Sequence, residues 1–524
     1  MKRYNISWML ALLITALSSC SDYLDINTNP NSATQADALL VLPQAIVGSA
    51  SISNQFNNYG AHLGGYMANA GGFSGFGNLF NYQLIPGDYN ALWVNTYDNL
   101  NDYKYVLDQT QGNDELAYAN AAAKIMTALN YQKLVDAFGD VPYTEALKNN
   151  ANLTPKYDDA ATIYQDLVVK LDSAITIIDG AEFPKSLNSS SDPMFGGDMT
   201  NWKKLANTLK LKMLIRVSGV AALNSFVTAS FAAMDKQLGF LTDDAIVNPG
   251  YVKDKPNPRW NSWGYQTTGA LANTSRTVTE FAFGFYKGQK LTDNGRGSVI
   301  YKNFTTNTPV NQLGNEVDAP TIITNYSTWY TGNFSSSSSI GNALGILKGP
   351  SQGQVLLLLA EAELLQAEAK LKGFLAGDFA TNFDAGVAAS FRYLYKDVTN
   401  VVSADKNVAT DVAKYKADND ESYLVNIKLA TTPAQRLEAI ITQKYIAVNM
   451  INSEEGYNEF RRTGFPVTAP AGDGYHNIAS LLSTSTRADK LPSRILYPSS
   501  EQSYNAANYR AINQFTDLIF WDPN

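Results

Sequence analysis

The chain has 524 residues, with 48 acidic against 40 basic side chains, a formal net charge of −8, a single cysteine and two histidines. An acidic surface disfavours nucleic acid and anionic lipid heads as partners. One thiol excludes an internal disulfide, and two histidines far apart in sequence, His62 and His476, leave too little for a His-rich zinc site or a cysteine–histidine nucleophile pair.

Residues 1 to 20 open with Lys2 and Arg3, continue through an apolar run from Ile6 to Leu17, and end in Leu17-Ser18-Ser19-Cys20. A basic start, a short apolar stretch and small residues before a cut make an export signal. The last four residues match a lipobox. The expectation is a signal peptide over 1–19 and acyl chains on Cys20, where two or more chains anchor a protein stably to a bilayer. Residues 20–38 are polar, with turn signals in Asn27-Thr28-Asn29-Pro30-Asn31, and read as a tether. No later segment reaches the roughly 20 apolar residues that span a membrane; Val355 to Ala360 is only a short run.

Residues 39–524 show no linker that splits them and are expected to form one mainly α domain. Apolar stripes at helical spacing recur. They are Tyr118/Ala122/Ile125/Leu129, Ile163/Leu167/Leu171/Ala174/Ile178, Leu205/Leu209/Met213/Val217, Leu358/Ala362/Leu365/Ala369 and Leu437/Ile441/Tyr445/Val448. Ala360 to Gly373 followed by Phe379 to Tyr395 looks like a tetratricopeptide-type helix pair, without the strict 34-residue consensus. Two regions read as irregular and aromatic-rich, Phe56 to Trp93 and Tyr251 to Pro350, the second with the low-complexity run Ser335 to Ser339.

Catalytic signals are weak. Gly71 to Gly77 is not followed by Gly-Lys-Ser/Thr and does not make a phosphate loop, no G-x-S-x-G sits in a strand–turn–helix context, and no EF-hand loop appears. No cofactor is expected, although an occasional structural calcium stays open. Phe138-Gly139-Asp140-Val141-Pro142 reads as a helix terminator. Arg461-Arg462 is expected to pair with Glu454, Glu455 or Glu459. Glu361 and Glu368, seven apart on an Ala-rich helix, are expected in a solvated or packing role. Trp93 stays open between core and site. Thirty tyrosines and seven tryptophans exceed what core packing comfortably explains. Aromatic faces beside amides suit sugar rings, and also peptides.

Several segments then read together. Trp93-Val94-Asn95-Thr96-Tyr97 opens a helix, and Ala121 to Leu134 leads into Asp136 to Pro142. Ile440 to Asn449 precedes Glu454-Glu455-Gly456-Tyr457-Asn458-Glu459-Phe460-Arg461-Arg462-Thr463-Gly464. Pro492-Ser493-Arg494-Ile495-Leu496-Tyr497-Pro498 comes before Glu501 and Asn505. This ordered set resembles the SusD/RagB family of Bacteroidetes outer-membrane lipoproteins, and Asp25 to Pro30 looks like the start of its SusD-like subgroup. The resemblance implies a largely α-helical fold with tetratricopeptide-like helix pairs under long ligand-binding loops. It implies no catalysis, a place on the cell exterior, and delivery of oligosaccharides, in some members peptides, to a SusC-like TonB-dependent transporter. A surface glycoside hydrolase is the rival from another class; no motif supplies its paired carboxylates. By region, the implied ligand residues are Tyr66, Phe73, Trp260, Asn261, Trp263, Tyr265, Tyr326, Trp329 and Tyr330.

Overall fold

The computed structural model describes residues 36–72, 76–316, 323, 327–332 and 343–523. Cys20, Phe73, Tyr326 and the run Ser335 to Ser339 lie outside these residues, as do the proposed signal and most of the tether.

The first helix, α1 (Ala38–Leu63), starts where the Asp37 side chain accepts from the Leu39 N–H at 2.9 Å. Helices α2 (Asn90–Thr110), α3 (Ala117–Phe138), α4 (Ala160–Gly180) and α5 (Met199–Val217) follow, each packed on the one before it. Asp159 and Asp198 cap α4 and α5 in the same way as Asp37 caps α1. α3 is buried around almost its whole circumference, and its alanines let α2, α4 and α5 approach closely. A one-and-a-half-turn helix, α6 (Pro258–Trp263), stands between the two halves of the chain. The C-terminal half contributes α7 (Leu359–Leu371), α8 (Phe379–Tyr395), α9 (Pro433–Ala447) and α10 (Ser453–Thr463). α7 and α8 form the expected helix pair, α9 opens on a Thr432/Gln435 capping box, and α10 stops at Gly464 with φ 75°. The five apolar stripes are buried, apart from Tyr118 and Leu437 at their leading ends, which are half-buried.

Short strands fasten the loops. β1 (Met67–Asn69) comes first. β2 (Val141–Pro142) and β3 (Tyr157–Asp158) pair with each other, so the Gly139 corner, φ 78°, ends α3 and turns the chain into a strand. β4 (Ala245–Val247), β5 (Arg276–Thr279), β6 (Val310–Asn311) and β7 (Gln354–Leu357) complete the set. β5 lies between β1, antiparallel with Asn69 opposite Arg276, and β6, parallel with Val278 opposite Val310. β7, which takes in the first half of the apolar run Val355 to Ala360, pairs with β4 and leads into α7.

The region from Phe56 to Trp93 is less irregular than expected. Residues 56–63 are the last two turns of α1, and 90–93 open α2. The helical period of α1 was blurred because its buried positions mix Ser49, Ser53, Asn54, Asn57 and Gly60 with Leu42, Ile46, Ile52, Phe56 and Leu63. Gly60 shows why: a Cβ there would lie 2.0 Å from the Glu454 backbone nitrogen on α10. Trp93 is core, edge-on to Phe138 at 5.1 Å and to Tyr497 at 5.8 Å.

A buried charge network joins α3, α5, α7, α9 and α10. Arg216 meets Asp136 at 3.0 Å and Glu455 at 2.5 Å, Lys212 meets Glu361 at 3.0 Å and Glu455 at 2.8 Å, and Lys444 meets Glu459 at 3.0 Å. Lys133 pairs with Glu454. Burial would raise the Glu455 carboxyl, but Lys212, Arg216 and Lys444 hold it well below the usual carboxylate range. Glu361 and Glu368 are therefore interior ion-pair partners, not solvated groups. Arg462 pairs with Glu459, as expected, and with Glu368 at 2.8 Å. Arg461 instead donates to the backbone oxygens of Ser493 and Asp136, at 2.7 and 2.8 Å.

Candidate functional site: an amide-lined cleft

Gln55, Asn58, Tyr59 and His62 stand at helical spacing on α1 and so share one face. That face forms one wall of a cavity of about 690 Å³. Ala91, Leu92 and Asn95 at the start of α2 form the next wall, and Asn261, Ser262 and Trp263 of α6 the third. Residues 272–276, running into β5, close the fourth side. The antiparallel register of β1 and β5 joins this last wall to the chain emerging from α1.

α6 is positioned by polar contacts. Asn257 caps it by accepting from the backbone of Arg259 and Trp260, and Pro258 fills the first helical position. From α1, Asn54 Nδ2 donates to Pro258 O at 3.3 Å and Ser262 Oγ at 3.0 Å. Trp263 Nε1 donates to Asn58 Oδ1 at 2.8 Å, and its ring stands edge-on to Trp329 at 5.0 Å.

The amides of the cleft are only partly used by the protein. Asn95 Nδ2 donates to Gln55 Oε1 at 2.9 Å. That contact and the Trp263 bond leave Asn58 Nδ2, Gln55 Nε2, Asn95 Oδ1 and the whole side-chain amide of Asn261 without a partner among the described residues. These are donors and acceptors on the walls of a concave site, available to a polar ligand.

Two rings behind the amides are neutral. Burial, with the nearby charge of Arg276, lowers His62 to about 3, so it is uncharged at neutral pH. Its Nδ1 lies 3.0 Å from the Tyr89 hydroxyl, and its buried Nε2 has no partner among the described residues. Burial pushes the Tyr59 phenol up to about 12. Arg276 is the one charged residue among the described residues of the lining. Burial draws its guanidinium below the ordinary arginine value.

The sequence-derived candidates divide. Asn261 and Trp263 line the cleft, Trp263 with only 5 % of its surface exposed. Tyr66 is fully buried, stacked on Tyr445 at 4.2 Å and donating to Tyr445 O at 2.9 Å. Trp260 and Trp329, each 1 % exposed, are also interior. These three present no open ring face, because the helical layer needs their bulk as packing. Tyr265 and Tyr330 are half-buried and stand outside the cleft lining. Within the described lining the partly exposed aromatic ring is Tyr89, so the wall is richer in amides than in open rings. Gln55, Asn58, His62, Asn95 and Arg276 were not singled out from the sequence. The spacing of 55, 58, 59 and 62 was the signal that could have found the first wall.

No curated protein matches the chain. Among solved structures it is similar to a chitin-binding SusD homolog from Flavobacterium johnsoniae, at 20 % identity and TM-score 0.66 over 92 % of this chain and 99 % of that one. A SusD homolog from Bacteroides uniformis gives 22 % identity and TM-score 0.66, again over 92 % and 99 %. A SusD-like protein from Bacteroides thetaiotaomicron gives 20 % and 0.65 over the same shares. At these identities the likeness is one of fold. A SusD-like family model, described as starch-binding associating with outer membrane, matches residues 30–498. The chain therefore belongs to the SusD-like family.

Proposed function

We propose that this protein captures oligosaccharides in the amide-lined cleft and passes them, chemically unchanged, to a SusC-like TonB-dependent transporter. The observation that carries the proposal is the set of unspent amide groups of Gln55, Asn58, Asn95 and Asn261 around Trp263 and Tyr89. Sugar hydroxyls are both donors and acceptors and match such groups, while ring C–H faces pack on Tyr89. The described lining contains no Asp or Glu. Glycoside hydrolysis ordinarily uses two carboxylates about 5–9.5 Å apart, so the lining supports binding over turnover.

A few hydrogen bonds at about 0.5–1.5 kcal/mol net each, with one aromatic contact at about 0.5–1.5 kcal/mol, sum to a few kcal/mol, which corresponds to weak, roughly millimolar binding. That range suits capture followed by release. The lipobox at Cys20 supports an acyl anchor in the outer membrane, with the binding domain on the cell exterior and residues 20–38 as its tether. No helix among the described residues is long and apolar enough to cross a membrane.

Isothermal titration of the mature protein against oligosaccharides and peptides tests the proposal. Oligosaccharide binding is expected, and Asn261→Ala, on an exposed side chain, should weaken it about five- to tenfold with Tm unchanged. Binding of peptides alone, or turnover of a bound glycan, would overturn it.

A further inference from the structure

The cleft holds a positive charge that no described carboxylate pairs with. Arg276 leads β5, and its guanidinium lies 4.8 Å from the centre of the Phe76 ring. The backbone of Arg276 bonds with Asn273, but the guanidinium makes no hydrogen bond or ion pair with a described residue. Its aromatic neighbour holds the guanidinium by its face, which leaves N–H edges for another acceptor. Other buried arginines are spent inside the fold: Arg259 on the Tyr393 hydroxyl and Ile451 O, and Arg216 on three carboxylates. Arg494, which also lacks a carboxylate partner among the described residues, is sealed in the interior at 3 % exposure. Arg276 is half-buried on the cavity wall, beside Thr274 and Ser275, whose side chains also line the cleft.

A half-buried guanidinium facing a cavity with no carboxylate in its described lining, in a chain of net charge −8, is a costly arrangement unless something else neutralises it. An anionic group with two neighbouring oxygens would do so bidentately, and the free amides on the opposite walls would hold the rest of the molecule. From this geometry we infer that the preferred ligand is an anionic oligosaccharide, with a ring carboxylate or sulfate ester seated on Arg276. The inference rests on the reading of the cleft as the glycan site.

The experiment compares uncharged maltotetraose and chitotetraose with an oligogalacturonide and a sulfated galactan oligomer, by titration at low and moderate salt. At least one anionic probe should bind tenfold or more tighter than the uncharged pair, with the advantage shrinking as salt rises. Arg276→Gln should abolish that advantage, while Arg276→Lys should keep part of it. The carboxylated and sulfated arms separate the two anionic chemistries. Uncharged probes binding as tightly as anionic ones, or anionic binding untouched in a folded Arg276→Gln protein, would overturn the inference while leaving the cleft as the site. Binding insensitive to both Arg276→Gln and Asn261→Ala would remove the cleft itself, and so would a lack of binding to every probe.

Discussion

At the scale of single residues, the clearest consequence concerns His62. Its folded pKa of about 3 lies below the ordinary histidine value. Between those limits the unfolded chain binds a proton that the folded one refuses, so the contribution to stability is complete above about pH 6.5 and shrinks as pH falls towards 3. Urea unfolding should show about 2 kcal/mol of stability lost from this group between pH 7 and pH 5. In His62→Gln the loss over the same interval should be smaller by about that amount. Equal losses in the two proteins would show that His62 is protonated in the folded state. This residue also shows how partial the sequence reading of the site was. Histidine count excluded a metal centre but gave no indication that His62 shares a helical face with Gln55, Asn58 and Tyr59. Trp260 and Trp329 were attractive for the opposite reason: a tryptophan stands out in sequence whether its ring meets ligand or core, and burial alone separates the two.

At the scale of elements, the helices with apolar stripes were legible because tertiary packing buries the very faces that the stripes mark. α4 and α7 are examples, with Ile163, Leu167, Leu171, Ala174 and Ile178 of the one, and Leu358, Ala362, Leu365 and Ala369 along the other, all buried. α1 was not legible because small and polar residues share its packing with the large apolar ones and blur the period. Its crossing with α10 depends on Gly60, where any side chain meets the Glu454 backbone. Gly60→Ala should lower stability by about 2–4 kcal/mol, because backbone cannot move aside as a side-chain tip can. Chemical denaturation would read this directly, and a change under 0.5 kcal/mol would show that the two helices part easily. The sheet that places Arg276 was equally hidden. β1 and β5 are three and four residues long and some 200 positions apart, too short to carry an alternating pattern and too distant for a hairpin signal.

At the scale of the whole molecule, a hydrophobic core runs from Ala38 to Trp521 and encloses a balanced set of charges. Asp136, Glu361, Glu368, Glu454, Glu455 and Glu459 face Lys133, Lys212, Arg216, Lys444, Arg461 and Arg462. The motif around Glu454 to Arg462 that carried the family resemblance is thus the centre of the scaffold and stands apart from the cleft lining. Arg216→Met leaves Asp136, Glu455 and Glu459 short of a cation and should cost about 3–5 kcal/mol, seen as a lower urea midpoint at unchanged slope. Adding Glu455→Gln should recover part of the loss. No recovery would mean that Arg216 acts through packing alone.

α1 takes part in both regions. One face supplies Gln55, Asn58, Tyr59 and His62 to the cleft, and Gly60 presses against the helix that bears Glu454, Glu455 and Glu459. A wall held at that contact is already ordered before a ligand arrives. The entropy of fixing it was lost during folding and is not lost again on association. Contacts to the amides of α1 therefore carry no cost of ordering that wall, and the cleft's preference among ligands follows the fixed spacing of its amide groups.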